Sequence, residues 1–187
     1  MQADAASRKK LGVFCRHVGR TIERYGMIGD GDRVLLGVSG GKDSLSMALA
    51  LRERLRWVPI RYELFAATVE WSEHPMDEAD RSRVEAFLGG LGIPLRRIVA
   101  SAHPPSFRGR FDCYLCARNR RRILFEEARR LGCGTLALGH HLDDVVETTL
   151  MNLCYQGQFS TMMPVQPFFD GRLRVIRPLC ETTEREV

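Results

Sequence analysis

No apolar run in these 187 residues approaches the length of a membrane span, so a transmembrane helix and a membrane partner are not expected. The first ten residues, Met1 to Lys10, lack the apolar core of a signal peptide, which predicts a cytoplasmic location. There is no internal repeat and no low-complexity tract. A second C-x-x-C pair is also missing, so a four-cysteine zinc ribbon would lack half its ligands. Six cysteines in a reducing compartment argue against a disulfide framework and toward metal or catalytic use of any clustered pair. What remains is ordinary for a globular chain, 44% hydrophobic and 27% charged, with enough length for one domain or slightly more.

The formal charge of +5 is unevenly placed. Residues 107–131 hold eight arginines against three acids, and residues 1–24 hold six basic residues against two. The rest is net acidic, so two basic patches sit on a near-neutral body, a pattern that suits a polyanion such as nucleic acid.

Residues 5–28 read as an amphipathic helix, with Leu11, Phe14, Cys15, Val18, Ile22 and Tyr25 at helical spacing and the basic residues mostly elsewhere. An alternation follows: strand 33–38, helix 44–56, strand 61–69, helix 77–91, strand 94–99, helix 114–131, strand 134–138, helix 143–155. Short apolar strands separated by long helices predict an α/β fold, a parallel sheet with helices on both faces. Ligands in such folds sit beyond the carboxyl ends of the strands. Residues 100–112 read as an irregular connection.

Arg33-Val34-Leu35-Leu36-Gly37-Val38 ends in Ser39-Gly40-Gly41-Lys42-Asp43-Ser44, after which a helical pattern begins. A buried strand that turns through glycines into a helix leaves N–H groups open at the positive end of the helix dipole, an anion site. Ser39 and Ser44 add hydroxyl donors. A Walker A loop needs Gly at position 36 and Ser or Thr after the lysine, where this chain has Leu36 and Asp43. A carboxylate inside a phosphate cradle makes sense if it holds Mg²⁺. The hexapeptide resembles the phosphate loop of the PP-loop ATP pyrophosphatase superfamily. That resemblance implies ATP as ligand and cleavage between its α and β phosphates to adenylate a substrate.

A second strand-to-helix turn reads Leu138-Gly139-His140-His141-Leu142-Asp143-Asp144-Val145-Val146-Glu147-Thr148 and should open at the same sheet edge. The aspartates could simply cap the helix, but two histidines and two aspartates in five residues suggest more. A third feature, Cys113-Tyr114-Leu115-Cys116, opens a helix and is followed by Arg118, Arg120, Arg121 and Arg122. Its residues allow half a zinc site, a redox dithiol or two ligands of an iron–sulfur cluster.

Together these features resemble the 2-thiocytidine tRNA synthetase family, from about residue 10 to the C-terminus. The tail Gly171-Arg172-Leu173-Arg174-Val175-Ile176-Arg177-Pro178-Leu179 carries part of that likeness. The resemblance implies an adenine nucleotide alpha hydrolase-like, Rossmann-like fold: a basic N-terminal helix over 1–32 and a PP-loop ATP-binding domain over 33–187, truncated at its C-terminal end. It implies ATP on Ser39, Gly40, Gly41, Lys42, Asp43 and Ser44, with main-chain adenine contacts near Val69 and further contacts from Arg120, Gly139 and Asp144. Mg²⁺ would sit near Asp43 and Asp144. Cys113 and Cys116 would bind a [4Fe–4S] cluster, with a third cysteine beyond Val187 or Cys180 in its place. Catalytic roles then fall to Asp43, Asp144, Cys113 and Cys116. Expected partners are tRNA, bound in part by Arg118, Arg121 and Arg122, and a persulfide or sulfide donor, with a homodimer allowed. Related readings are a lysidine-synthase-like ligase, a 2-thiouridine synthase and a non-catalytic nucleotide- or metal-binding module. Cys15, Cys133 and Cys154 read as small buried hydrophobes.

Overall fold

The computed structural model describes residues 5–102 and 113–187, the side chain of Cys113 excepted. Its elements run α1 (Ala5–Arg24), β1 (Arg33–Gly37), α2 (Lys42–Arg54), β2 (Glu63–Trp71), α3 (Glu78–Gly90), β3 (Leu95–Ala100), α4 (Cys113–Arg130), β4 (Thr135–Leu138), α5 (Leu142–Gln156), β5 (Val165–Phe168) and β6 (Leu173–Ile176).

β1 sets the layering. Its side chains alternate by the pleat: Val34 and Leu36 enter one core and Leu35 the other, all three fully buried. The first core lies under α1, α2 and α3, through Val18, Ile22, Met47, Leu51 and Leu88. The second lies under α4, where Leu124 and Ala128 meet Ala67, Leu136 and Val175. A central strand buried on both faces is the expected signature of a sheet covered by helices on both sides. α1 belongs to the first layer: Cys15, Val18 and Ile22 share a core with α2, and its basic residues 8, 9, 10, 16, 20 and 24 stay exposed.

The sheet order is β3-β2-β1-β4-β6-β5. All pairings are parallel except β5 with β6, an antiparallel edge hairpin. The alternation of strands and helices carried the parallel part. It carried no hint of the hairpin, whose four-residue strands flank an Asp170-Gly171 turn with positive φ from Phe169 to Gly171. The strand order reverses between β1 and β4, so the crevice outside their carboxyl ends is where this fold holds ligands.

Three departures from the expected boundaries matter. α1 stops at Arg24. α2 begins at Lys42, two residues early, which puts Lys42 and Asp43 in the helical first turn. β2 runs two residues past Val69, through Glu70 and Trp71. Cys15 and Cys133 are buried as expected, whereas Cys154 is exposed on α5, a helix without any buried residue. The expected irregular connection over 100–112 lies mostly outside the described residues.

Candidate functional site

The first wall of the crevice is the turn from β1 into α2. Gly40 takes φ +87°, and a Cβ there would lie 3.3 Å from both Met76 Cε and Val84 Cγ2. Glycine is therefore required twice over, by conformation and by space. Gly41 is the N-cap of α2 in extended geometry, and no side chain caps the helix. The first-turn N–H groups are thus left open at the positive end of the dipole. The two serines hold the loop from within. Ser44 Oγ donates to the Gly41 carbonyl at 3.0 Å and accepts from the Ser39 N–H at 3.3 Å, and the Gly41 N–H donates to Ser39 Oγ at 3.3 Å. Asp43 Oδ1 is buried without a hydrogen-bond partner, and its nearest cation is Lys42 Nζ at 3.4 Å.

The second wall is the turn from β4 into α5, and its backbone touches the first. A Cβ on Gly139 would stand 3.0 Å from Ser44 N and 3.1 Å from Asp43 C, so only glycine lets the two turns meet. This helix start is closed by its own residues. The His141 N–H donates to Asp144 Oδ2 at 2.8 Å and the Asp144 N–H donates to His141 Nδ1 at 3.3 Å, a reciprocal capping box. Capping, set aside in the sequence as the lesser account, is thus real for Asp144, which nevertheless lines the cavity. His140 lines it too and was not singled out from sequence. Burial, then the charge of Arg177, lowers its pKa, so the imidazole is neutral at pH 7, and its Nδ1 has no partner. The doubled histidine of the motif was the available signal: one caps, the other faces the cavity.

The third wall comes from β2 and α4. Val69, Glu70 and Trp71 line the cavity at the end of β2, and Arg120 does so from α4. Glu70 is buried and paired with Arg81 at 2.8 Å and Arg97 at 3.3 Å, and it accepts from the Met76 N–H at 3.1 Å. Burial works to raise its pKa, but these partners hold the net value below the usual range. Nearby, Glu73 is pulled down to about 2 by the Ser101 hydroxyl and the Ala102 N–H, which ties the end of β3 to this turn. The Trp71 indole N–H donates to Cys116 Sγ at 3.1 Å, and the Arg120 guanidinium lies 5.6 Å from the centre of the same ring.

These walls enclose about 500 Å³. Of the residues expected to bind nucleotide, Ser39, Asp43, Ser44, Val69, Arg120, Gly139 and Asp144 line it, while Gly40, Gly41 and Lys42 build the loop without facing the space. Lys42 turns instead to the C-terminal segment, donating to the Glu184 carbonyl at 3.0 Å. The Glu184 N–H donates to Asp143 Oδ2 at 2.6 Å, and the Leu142 N–H donates to the Thr182 carbonyl at 2.8 Å. Glu181, three residues earlier, accepts from Thr21 at 2.9 Å, Arg24 at 2.5 Å and Tyr25 at 3.2 Å on and just after α1. Of the arginines after the cysteines, Arg122 pairs with Glu126 at 2.7 Å across one helical turn, and Arg118 and Arg121 are exposed.

The chemistry of these residues bears on two groups, Mg²⁺ and an iron–sulfur cluster. A buried carboxylate oxygen without a donor, Asp43 Oδ1, beside Asp144 on the same cavity, suits Mg²⁺, which takes one or two carboxylates and completes its shell with phosphate oxygens and water. Among the described residues no three His, Cys, Asp or Glu are grouped to hold a metal ion. Cys116 is half-buried and unoxidised at the start of α4, and Cys113 is the first residue of that helix. Cys116 suits a thiolate ligand near a helix N-terminus, and the side chain of Cys113, its expected partner, lies outside the described residues. Cys180 does not supply a third. It is buried in the core beside α1, and burial pushes its thiol up to about 11.

A phosphate loop and an aspartate-bearing turn that meet at the switch point of a parallel sheet define a nucleotide-binding α/β domain of the PP-loop class. The chain belongs to the PP-loop domain family, whose profile matches residues 14–187. Among curated proteins it is 39% identical over 175 residues to a tRNA-cytidine(32) 2-sulfurtransferase of Geobacter sulfurreducens, covering 91% of this chain and 66% of that one. It is 40% identical over 187 residues to the protein of that name from Polynucleobacter asymbioticus, covering 95% and 58%. The chain therefore spans roughly three-fifths of the length of these relatives. Among solved structures, the U34-tRNA thiolase of Methanococcus maripaludis with its [4Fe–4S] cluster superposes with a TM-score of 0.75 at 25% identity, covering 96% of this chain and 62% of that one. An ammonia-dependent NAD synthetase from Campylobacter jejuni, at a TM-score of 0.55 and 15% identity, shares the fold.

Proposed function

We propose that this chain carries the ATP-binding and sulfur-transfer core of a cytoplasmic tRNA thiolase that converts a cytidine to 2-thiocytidine. The observation that carries the reading is a single cavity with phosphate-loop residues Ser39, Asp43 and Ser44 on one wall and, on another, Trp71, whose N–H holds Cys116. A ligase that uses an amine nucleophile has no need of a cysteine there, which favours thiolation over lysidine-type chemistry. The names of the relatives, and the cluster in the archaeal thiolase, point the same way.

ATP lies with its phosphates on the open N–H groups of α2 and its adenine against the main chain near Val69. Gly139 lets the second turn close on the loop. Asp43 and Asp144 would hold Mg²⁺, which would supply positive charge to offset that on the leaving pyrophosphate. Arg120 faces the phosphates. The oxygen at C2 of an unpaired cytidine attacks the α phosphorus, pyrophosphate leaves, and the base becomes an adenylated electrophile. Sulfur then adds at C2 and AMP departs with the original oxygen. Cys113 and Cys116 would hold two irons of a [4Fe–4S] cluster, which when bound would present sulfur at the sulfide level, so that no oxidant or reductant is consumed when it replaces the oxygen. Trp71 and Leu138 wall the cavity and limit water. Arg118 and Arg121 bind tRNA phosphates.

The test is pyrophosphate release and 2-thiocytidine formation in the full-length protein prepared without oxygen, supplied with Mg·ATP, sulfide and unmodified tRNA. Release should depend on tRNA, and the double change Cys113→Ser/Cys116→Ser should remove thiolation. Thiolation that survives in that variant overturns the reading.

A further inference from the structure

We propose that Trp71 is the positioning residue that couples the two halves of this site, resting on the reading above for the identity of the sulfur centre. One indole does two separate things. Its N–H points at Cys116 Sγ at 3.1 Å, and its ring face lies under the Arg120 guanidinium at 5.6 Å. Cys116 and Arg120 are four residues apart on α4, hence on one face of the helix, and both are fixed to β2 by this side chain.

The surroundings make that hold firm. Trp71 is 6% exposed and packs with Ala102 and Ile123, and Val69, Ile98, Ala100 and Cys116 close around them. Behind it, the buried Glu70 carboxylate is paired with Arg81 and Arg97, so a shift of the end of β2 would break two partly buried ion pairs. The ring also lines the cavity that Ser39, Asp43 and Ser44 line from the other side. A sulfur atom bonded to this N–H and a cation stacked on this ring therefore keep a constant offset from the phosphate loop. Sulfur that carries negative charge, as a thiolate or as a cluster ligand, is stabilised by an N–H donor, and hydrogen bonds to cluster sulfurs are one of the terms that set reduction potential.

Two variants separate the roles. Trp71→Phe keeps the ring and deletes the N–H. In metal-free protein it should slow iodoacetamide alkylation of Cys116 at neutral pH by at least about threefold, the cost of one hydrogen bond to charged sulfur, with ATP affinity held. In reconstituted protein the same change should move the cluster midpoint potential to a more negative value, read by spectroelectrochemistry. Trp71→Leu removes the ring as well and should weaken ATP binding by up to about fivefold, the worth of a cation–π contact to an exposed arginine. In a cycle with Arg120→Ala that loss should not add, because both changes remove the same contact. Thermal midpoints measured alongside identify any variant that simply unfolds. Alkylation of Cys116 at the wild-type rate in Trp71→Phe overturns the proposal, as does additivity in the Arg120 cycle. If wild-type protein assembles no cluster, the sulfur-centre reading above falls, while the alkylation and ATP arms still decide what Trp71 does.

Discussion

The two turns that meet in the crevice have the same topology and opposite electrostatics. Each leaves a buried parallel strand, passes a glycine and enters a helix at the carboxyl edge of the sheet. At α2 no side chain caps the helix, and the N–H groups stay available. At α5 the His141–Asp144 box closes the helix start with its own groups. An open helix start attracts anions, whereas one carrying two carboxylates repels them and attracts cations. On the proposed reading, phosphates rest on the first turn, and a counter-ion bridges Asp43 of that turn and Asp144 of the second. The pair works as a unit because Gly139 allows the backbones to approach within van der Waals contact.

Four sets of substitutions probe that contrast. The largest effect should come from Gly40→Val, which meets Met76 and Val84 and cannot hold φ +87°. ATP affinity should fall by more than about 100-fold by calorimetry. Gly41→Ala, whose Cβ meets only Ser39 Oγ at 3.5 Å, should lose far less. Comparable losses would mean that loop conformation is not what matters. Next, Asp144→Asn keeps an oxygen for the His141 N–H and removes the charge. Turnover should drop by about 30-fold or more with the thermal midpoint nearly intact, while Asp144→Ala should in addition lose about 1 kcal/mol of stability with the cap. A thermal loss without a turnover loss in either variant would reduce Asp144 to a cap. Ser44→Ala removes the hydroxyl that ties Ser39 to Gly41, and should weaken ATP about tenfold, near 1.4 kcal/mol. The smallest effect should be Glu184→Gln. Its carboxylate is exposed and Lys42 is held mainly by the Glu184 carbonyl, so ATP affinity should change by less than about twofold. A larger change would mean that the side chain, not the backbone, places Lys42.

The features legible in the sequence were those written in consecutive residues. The strand–glycine–helix turns, the alternation of β and α and the amphipathic stripe of α1 depend on local spacing, whereas the expected positions of Arg120 and Asp144 at the cavity came from the family resemblance. What escaped depends on partners far along the chain. Glu70 looks like a strand-ending charge until Arg81 and Arg97, 11 and 27 residues on, neutralise it and let β2 continue to Trp71. The contact from Trp71 to Cys116 spans 45 residues and belongs to no motif. The β5–β6 hairpin is built from strands too short for periodicity to register. On α5 the reading of Cys154 as a small buried hydrophobe fails: it is exposed, as are Leu150, Met151 and Leu153 on the same helix.

The contacts of Glu181 also change how the chain can be cut. Thr21, Arg24 and Tyr25 anchor this residue, and the strand of backbone that follows it reaches Leu142, Asp143 and Lys42. An expression fragment that starts at residue 33, the natural choice if α1 were an appendage, would keep every side chain proposed to contact the nucleotide. It would also strip the moorings from the segment that seats Lys42 and Asp143, and would expose Met47 and Leu51 of α2. Deletion of α1 is for that reason an operation on the ATP site, carried out from the far end of the molecule.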